Sequence, residues 1–117
     1  MANILFILND PSYGTERSYN ALRLATSLGK QAGEQVRVFL IGEAVSCAHS
    51  HQKLPQGHYN IEVMIKSIVK QGGTIGVCSS CMDARGIDDA AIIEGTHRSS
   101  MDELTSWTRE ADKVLTF

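Results

Sequence analysis

Thr74-Ile75-Gly76-Val77-Cys78-Ser79-Ser80-Cys81-Met82-Asp83-Ala84-Arg85 reads as a short buried strand that opens directly into a helical turn. Thr74 to Cys78 supplies the apolar run and Ser79 to Arg85 the short helix, so a strand and a helix meet at a pair of thiols. Upstream, Ile61, Met64, Ile65, Ile68 and Val69 recur at helical spacing, with Asn60 placed to cap the first turn and Gly72-Gly73 to stop the last. Before that helix, Val36 to Ile41 is a second strand, and Gly42 to His58 is expected to be a loop with one short helical turn.

The same alternation extends to both ends of the chain. Ile4-Leu5-Phe6-Ile7-Leu8 has no polar alternation, as expected of a strand covered on both faces, and Asn9-Asp10-Pro11 ends it. Ser18, Ala21, Leu22, Ala25, Leu28 and Ala32 form a helical stripe of about five turns, with Gly33 as its stop. Downstream, Ala91-Ile92-Ile93 is an apolar segment whose type the pattern leaves open. Ser100 and Glu103 have capping-box spacing before a face of Met101, Leu104, Trp107 or Thr108, and Ala111, and Lys113 to Thr116 is the final strand. The order βαβαβαβαβ predicts an α/β fold with a mostly parallel sheet and helices on both faces, as one domain spanning residues 1–117.

Composition narrows the function classes. With 117 residues and 43% hydrophobic content the chain suffices for one core, and 11 basic against 13 acidic residues, unclustered, give no electrostatic footprint for nucleic acid or anionic lipid. No apolar run is long enough to span a bilayer and no export leader is visible, so a soluble cytoplasmic protein is expected. Three cysteines, an odd number, fit a reducing compartment better than a disulfide scaffold.

In a parallel sheet the carboxyl ends of the strands share one edge, so Asn9-Asp10, the Gly42–His58 loop and Cys78 to Cys81 are expected on one side. A helical turn beginning after Cys78 favours its thiolate, which makes Cys78 the candidate nucleophile. Cys81, about one turn on, is placed to resolve an oxidised or persulfidated Cys78, and Arg85 a turn further to stabilise an anionic sulfur. The competing reading is that both thiols are simple core, since free cysteine is among the most buried residue types. Two serines between the cysteines separate the pattern from the thioredoxin motif.

Cys47, His49 and His51 together with Cys78 and Cys81 offer ligands that zinc or copper would accept, but the spacing fits no standard zinc pattern. His49, His51 and His58 are expected to face solvent, and no metal is assigned. Neither phosphate-binding glycine motif follows the first strand, so nucleotide binding is disfavoured and no cofactor is expected. Asp10, Glu16 and Glu43 put carboxylates near the edge, where capping and solvation explain them as readily as acid–base work, Asp10 being the strongest of the three.

The chain resembles the YchN-like branch of the DsrE/DsrF family over nearly its whole length. The resemblance is carried by Pro11-Ser12-Tyr13-Gly14 with Glu16, Ala21 to Ala25, Val38-Phe39-Leu40, and Gly57 with Tyr59-Asn60-Ile61. It continues through Cys78, Cys81, Asp83 and Arg85-Gly86-Ile87, then Glu103-Leu104, Trp107-Thr108 and Ala111 to Phe117. It implies a DsrE-like, three-layer α/β fold around a five-stranded parallel sheet, assembled as trimers or as hexamers of two stacked trimers. It also implies a sulfur relay, in which a cysteine upstream of an Arg-Gly pair takes a persulfide sulfur from a donor and passes it to an acceptor protein. That cysteine maps onto Cys78, with Arg85-Gly86 as the pair. Cys81 belongs to the YchN-like pattern and the Cys47–His51 segment to neither. A thiol-redox sensor and a small-ligand-binding oligomeric module stand as alternatives.

Overall fold

The computed structural model describes residues 2–117. Five strands, β1 (Ala2–Leu8), β2 (Glu34–Leu40), β3 (Thr74–Cys78), β4 (Thr96–Ser99) and β5 (Lys113–Thr116), form one parallel sheet in the order β4-β3-β2-β1-β5. Four α-helices connect them: α1 (Arg17–Gly29), α2 (Ile61–Lys70), α3 (Ser79–Asp83) and α4 (Met101–Glu110). Two 3-10 segments, Gly42–Ala48 and Asp89–Ala91, complete the order.

Strand register sorts the core into two layers. Ile4, Phe6 and Leu8 pair with Val36, Val38 and Leu40, and period-two alternation puts all six on one face. Phe39 and Gly76 pair with each other on the opposite face, where Trp107 of α4 meets Phe39 edge-on and closes over Gly76. The chain steps from β1 to β2 to β3 in one direction and returns from β4 to β5 in the other. Right-handed crossovers therefore place α1 and α2 on one face and α4 on the other. α1 buries Ser18, Ala21, Leu22 and Ala25, α2 buries Ile61, Ile65 and Ile68, and α4 buries Leu104 and Trp107. A lone helix cannot cover five strands, and Val114 of β5 stays 42% exposed.

The expected caps form. Asn60 accepts a hydrogen bond from the Val63 N–H at 3.2 Å, and Ser100 accepts one from the Glu103 N–H at 3.2 Å. The Glu103 carboxylate does not return to the Ser100 N–H as a full capping box requires; it takes the Ser99 hydroxyl at 2.6 Å and contacts His97.

One expectation needs correction, and one open segment is settled. α1 ends at Gly29, a turn before Gly33, because the N–H groups of Lys30 and Gln31 fold back onto Ser27 and Leu28 in a tighter turn. Ala32, counted in the apolar stripe, is exposed. The apolar Ala91-Ile92-Ile93 is not a strand of the sheet: Ala91 ends a 3-10 turn, Ile92 bridges His49, and Ile93 is buried. The fourth strand is the polar Thr96-His97-Arg98-Ser99, an edge strand paired on one side only, with β3.

Candidate thiol site

β3 ends at Cys78, which keeps a non-helical backbone (φ −56°, ψ 119°) and hands the chain to α3. Gly76 and Cys78 share a face of the strand, so the Cys78 side chain lies on the α4 side of the sheet. There it lines an open cleft of about 290 Å³ with Ser79, Ser80, Asp83, Ser99, Ser100 and Met101. Only 8% of Cys78 is exposed. Ser99 stands beside it because β4 pairs with β3 in a register that matches those two residues.

The two thiols of the motif are reduced and electrostatically unequal. Burial opposes ionisation of Cys78, but hydrogen bonds from the Cys81 thiol, the Ser80 hydroxyl and the N–H groups of both residues outweigh it, and the thiol titrates below its ordinary value. The Ser80 oxygen lies 3.5 Å from the Cys78 sulfur. Cys81 moves the other way: burial, its role as donor to Cys78 and the nearby Cys78 charge raise it, against a Gly42 N–H donated to its sulfur at 3.2 Å. The arrangement favours a Cys78 thiolate beside a Cys81 thiol.

Arg85 sits one turn past Cys81 but hydrogen-bonds to neither sulfur. Its guanidinium donates to Glu43 at 2.6 Å and to the Cys81 carbonyl at 3.0 Å, clamping α3 to the 3-10 segment that follows β2. A second guanidinium, Arg98 of β4, was not foreseen. It donates to the Ser79 hydroxyl at 2.7 Å, to Asp83 at 3.0 Å and to Asp89 at 2.6 Å, fixing the opposite side of the same turn. Gly42, Ser80, Arg98, Ser99 and Ser100 are thus parts of the site that sequence reading missed. Ser80 was within reach, since it lies between the cysteines.

The strand ends do converge as expected. Ser12 N–H donates to the Ser46 hydroxyl at 3.0 Å, and the Cys47 thiol faces the Asp10 carbonyl at 3.8 Å. Cys47, however, is fully buried, and burial pushes its thiol up to about 12, so it belongs to the core. His49, His51 and His58 face solvent. Cys47, His49, His51, Cys78 and Cys81 do not gather, and no group of three or more metal-binding side chains occurs among the described residues. Asp10 serves the entry to α1, its carboxylate accepting from Thr15 at 2.6 Å and Arg17 at 3.4 Å, its carbonyl from Ser18 at 2.8 Å.

Glu62 is an unforeseen buried carboxylate. It accepts the N–H groups of His51 (3.2 Å) and Gln52 (2.8 Å) and pairs with Lys66 at 3.1 Å. Burial pushes its pKa up, yet these bonds prevail and hold it below the ordinary value. With the Tyr13 hydroxyl, which donates to Gln52 and accepts from the Ile61 N–H, it pins the histidine-bearing loop.

Residues 2–117 match the family model for the DsrE/DsrF-like family. Protein YchN of Escherichia coli strain K12 is 38% identical over 118 residues, covering 100% of both chains. The crystal structure of the ychN protein from E. coli superposes with a TM-score of 0.94 over 100% of both chains, at 38% identity. Uncharacterized protein MJ0989 of Methanocaldococcus jannaschii is 33% identical over 111 residues, 95% of this chain and 96% of that one. MTH1491 from Methanobacterium thermoautotrophicum shares the fold, with a TM-score of 0.79 at 12% identity and 100% coverage of both chains.

Proposed function

We propose that this chain, which belongs to the DsrE/DsrF-like family, is a sulfur carrier in which Cys78 accepts and passes on a persulfide sulfur. The observation that carries the reading is the placement of Cys78 at the junction of β3 and α3, where it lines the open cleft with the Ser80 hydroxyl 3.5 Å from its sulfur, in surroundings that favour its thiolate and hold Cys81 as thiol. The Cys78 thiolate attacks the outer sulfur of a donor persulfide R–S–SH, forming Cys78–S–SH and releasing R–S⁻, with no net redox change. Release to an acceptor thiolate is the same step reversed. Alternatively, Cys81 as thiolate attacks the inner sulfur, closing a Cys78–Cys81 disulfide and expelling HS⁻.

Arg85 acts by holding α3 in place and by attraction for the thiolates, a minor contribution to the rise in its own pKa behind the Glu43 pair. The reading places the protein in the cytoplasm as a homo-trimer or homo-hexamer, exchanging sulfur with donor and acceptor proteins and needing no cofactor. The incompletely covered α4 face, with Val114 exposed, supports association between copies. Among the described residues no helix is long and apolar enough to cross a membrane.

Cys78→Ser is expected to abolish persulfide loading, scored by cyanolysis, while Cys47→Ser loads like wild type; the reverse pattern refutes the assignment. Two free thiols three residues apart at the start of α3 also suit a redox sensor. Equilibration with glutathione separates the readings, because a reversible Cys78–Cys81 disulfide without persulfide acceptance favours the sensor.

A further inference from the structure

The mouth of the thiol cleft is acidic. Asp83 lines it with a side chain 69% exposed, and Asp89, 72% exposed, stands behind on the same guanidinium. The cleft adjoins a second depression of about 340 Å³, with Ser79, Ser99 and Ser100 in common, to which His97, Arg98 and Glu103 contribute. Asp102 is exposed in the first turn of α4 and makes no ion pair among the described residues.

Positive charge at this mouth is consumed locally. Arg98 is shared between Asp83 and Asp89, Arg85 is held by Glu43, and His97 contacts Glu103. Asp102 and Glu103 also offset the positive end of the α4 dipole. Met101, 61% exposed, adds an apolar contact on the same lip.

A small sulfur anion approaching Cys78 therefore meets repulsion, whereas a cationic carrier is drawn in. Resting on the reading of Cys78 as sulfur acceptor, we infer that the cleft is a docking surface for a protein donor whose persulfidated cysteine is flanked by lysine or arginine, and that it discriminates against small anionic sulfur donors. Asp83 and Asp102 are the specificity-determining residues, and Met101 packs against the partner segment.

The test compares two methanethiosulfonate reagents that share the reacting group, one carrying an ammonium and one a sulfonate. In both, the thiolate attacks the reagent's sulfenyl sulfur, forming a mixed disulfide and expelling methanesulfinate. Rates at Cys78 are read by peptide mapping against an unstructured cysteine peptide. A net negative charge at about 10 Å is worth up to about twofold on each reagent at low salt, so the cation-to-anion ratio is expected to exceed that of the peptide by at least about threefold. The excess should disappear at roughly 1 M salt, where the Debye length is about 3 Å. Asp102→Asn, which disturbs no ion pair, should lower the ratio about twofold, and Asp83→Asn should lower it further. A ratio equal to that of the peptide, or favouring the anion, overturns the proposal and points to a small anionic donor. Persulfide loading is scored separately, so failure of the sulfur-carrier reading appears as missing sulfur on Cys78 while the charge preference persists.

Discussion

Removing the Cys81 thiol should change Cys78 reactivity in opposite directions at low and high pH. The Cys81 thiol favours the Cys78 thiolate as a donor, and Cys81→Ala deletes it while leaving the Ser80 hydroxyl and the backbone donors. A hydrogen bond to a charged group is worth about 1.5–3 kcal/mol, and a weak S–H donor sits at the bottom of that range, about tenfold in the thiol–thiolate equilibrium. Below both pKa values the thiolate fraction then falls about tenfold. A less acidic thiol is a better nucleophile, with a Brønsted coefficient of about 0.4–0.5, which recovers about threefold and leaves a net loss near threefold. Above both pKa values only the nucleophilicity gain remains, so the variant should react about threefold faster than wild type. Peptide-resolved alkylation of Cys78 by iodoacetamide across pH, with thiolate absorbance as a check, measures the crossing. Cys81→Ser keeps a donor and should follow wild type. A Cys81→Ala profile without a shift, or one lowered equally at every pH, would show that the pKa of Cys78 is not set by its neighbour.

Three further outcomes test the surrounding structure. Glu62→Ala orphans the His51 and Gln52 N–H groups and should cost about 2–4 kcal/mol in chemical denaturation. Because the folded pKa of Glu62 lies below its unfolded value, its ionised form stabilises the protein at neutral pH; that contribution is lost as pH falls through the folded value, and the variant should show a flatter acid limb. Gly76→Ala places a Cβ 3.1 Å from both Ser99 and Trp107, so an overpacking cost of about 1–3 kcal/mol should appear as a lower Tm. Cys47, with its thiol pushed up to about 12 and no exposed surface, should resist thiol reagents at neutral pH until the chain unfolds; fast labelling in native buffer would contradict its core placement.

Much of the fold was legible because burial and period coincide in this chain. β1, β2 and β3 are apolar since both faces of an interior parallel strand are covered, and Asn60 and Ser100 announce helix starts through side chains that accept backbone N–H groups. β4 was invisible for the converse reason: Thr96-His97-Arg98-Ser99 is an edge strand whose side chains serve the cleft, and nothing in its hydrophobic pattern distinguishes it from a loop. The site followed the same division. Cys78, Cys81 and Arg85 are close in sequence, in and around one short helix, and could be read locally, but Arg98 and Ser99 reach them only through β3–β4 pairing. Glu62 was passed over because a charged residue on an amphipathic helix reads as solvated; its burial depends on a loop folding back over it. The reading of Arg85 beside the sulfur missed Glu43, which forms its ion pair.

The central claim, that Cys78 is a sulfur-accepting thiolate, is tested most directly by intact-mass spectrometry after incubation with a persulfidated peptide, followed by mapping of the added mass. The account predicts a gain of one sulfur atom, located on Cys78, reversed by an acceptor thiol and absent from Cys78→Ser. Prompt alkylation of Cys78 with no sulfur gained from any persulfide donor, or a sulfur found on Cys47 instead, would contradict it.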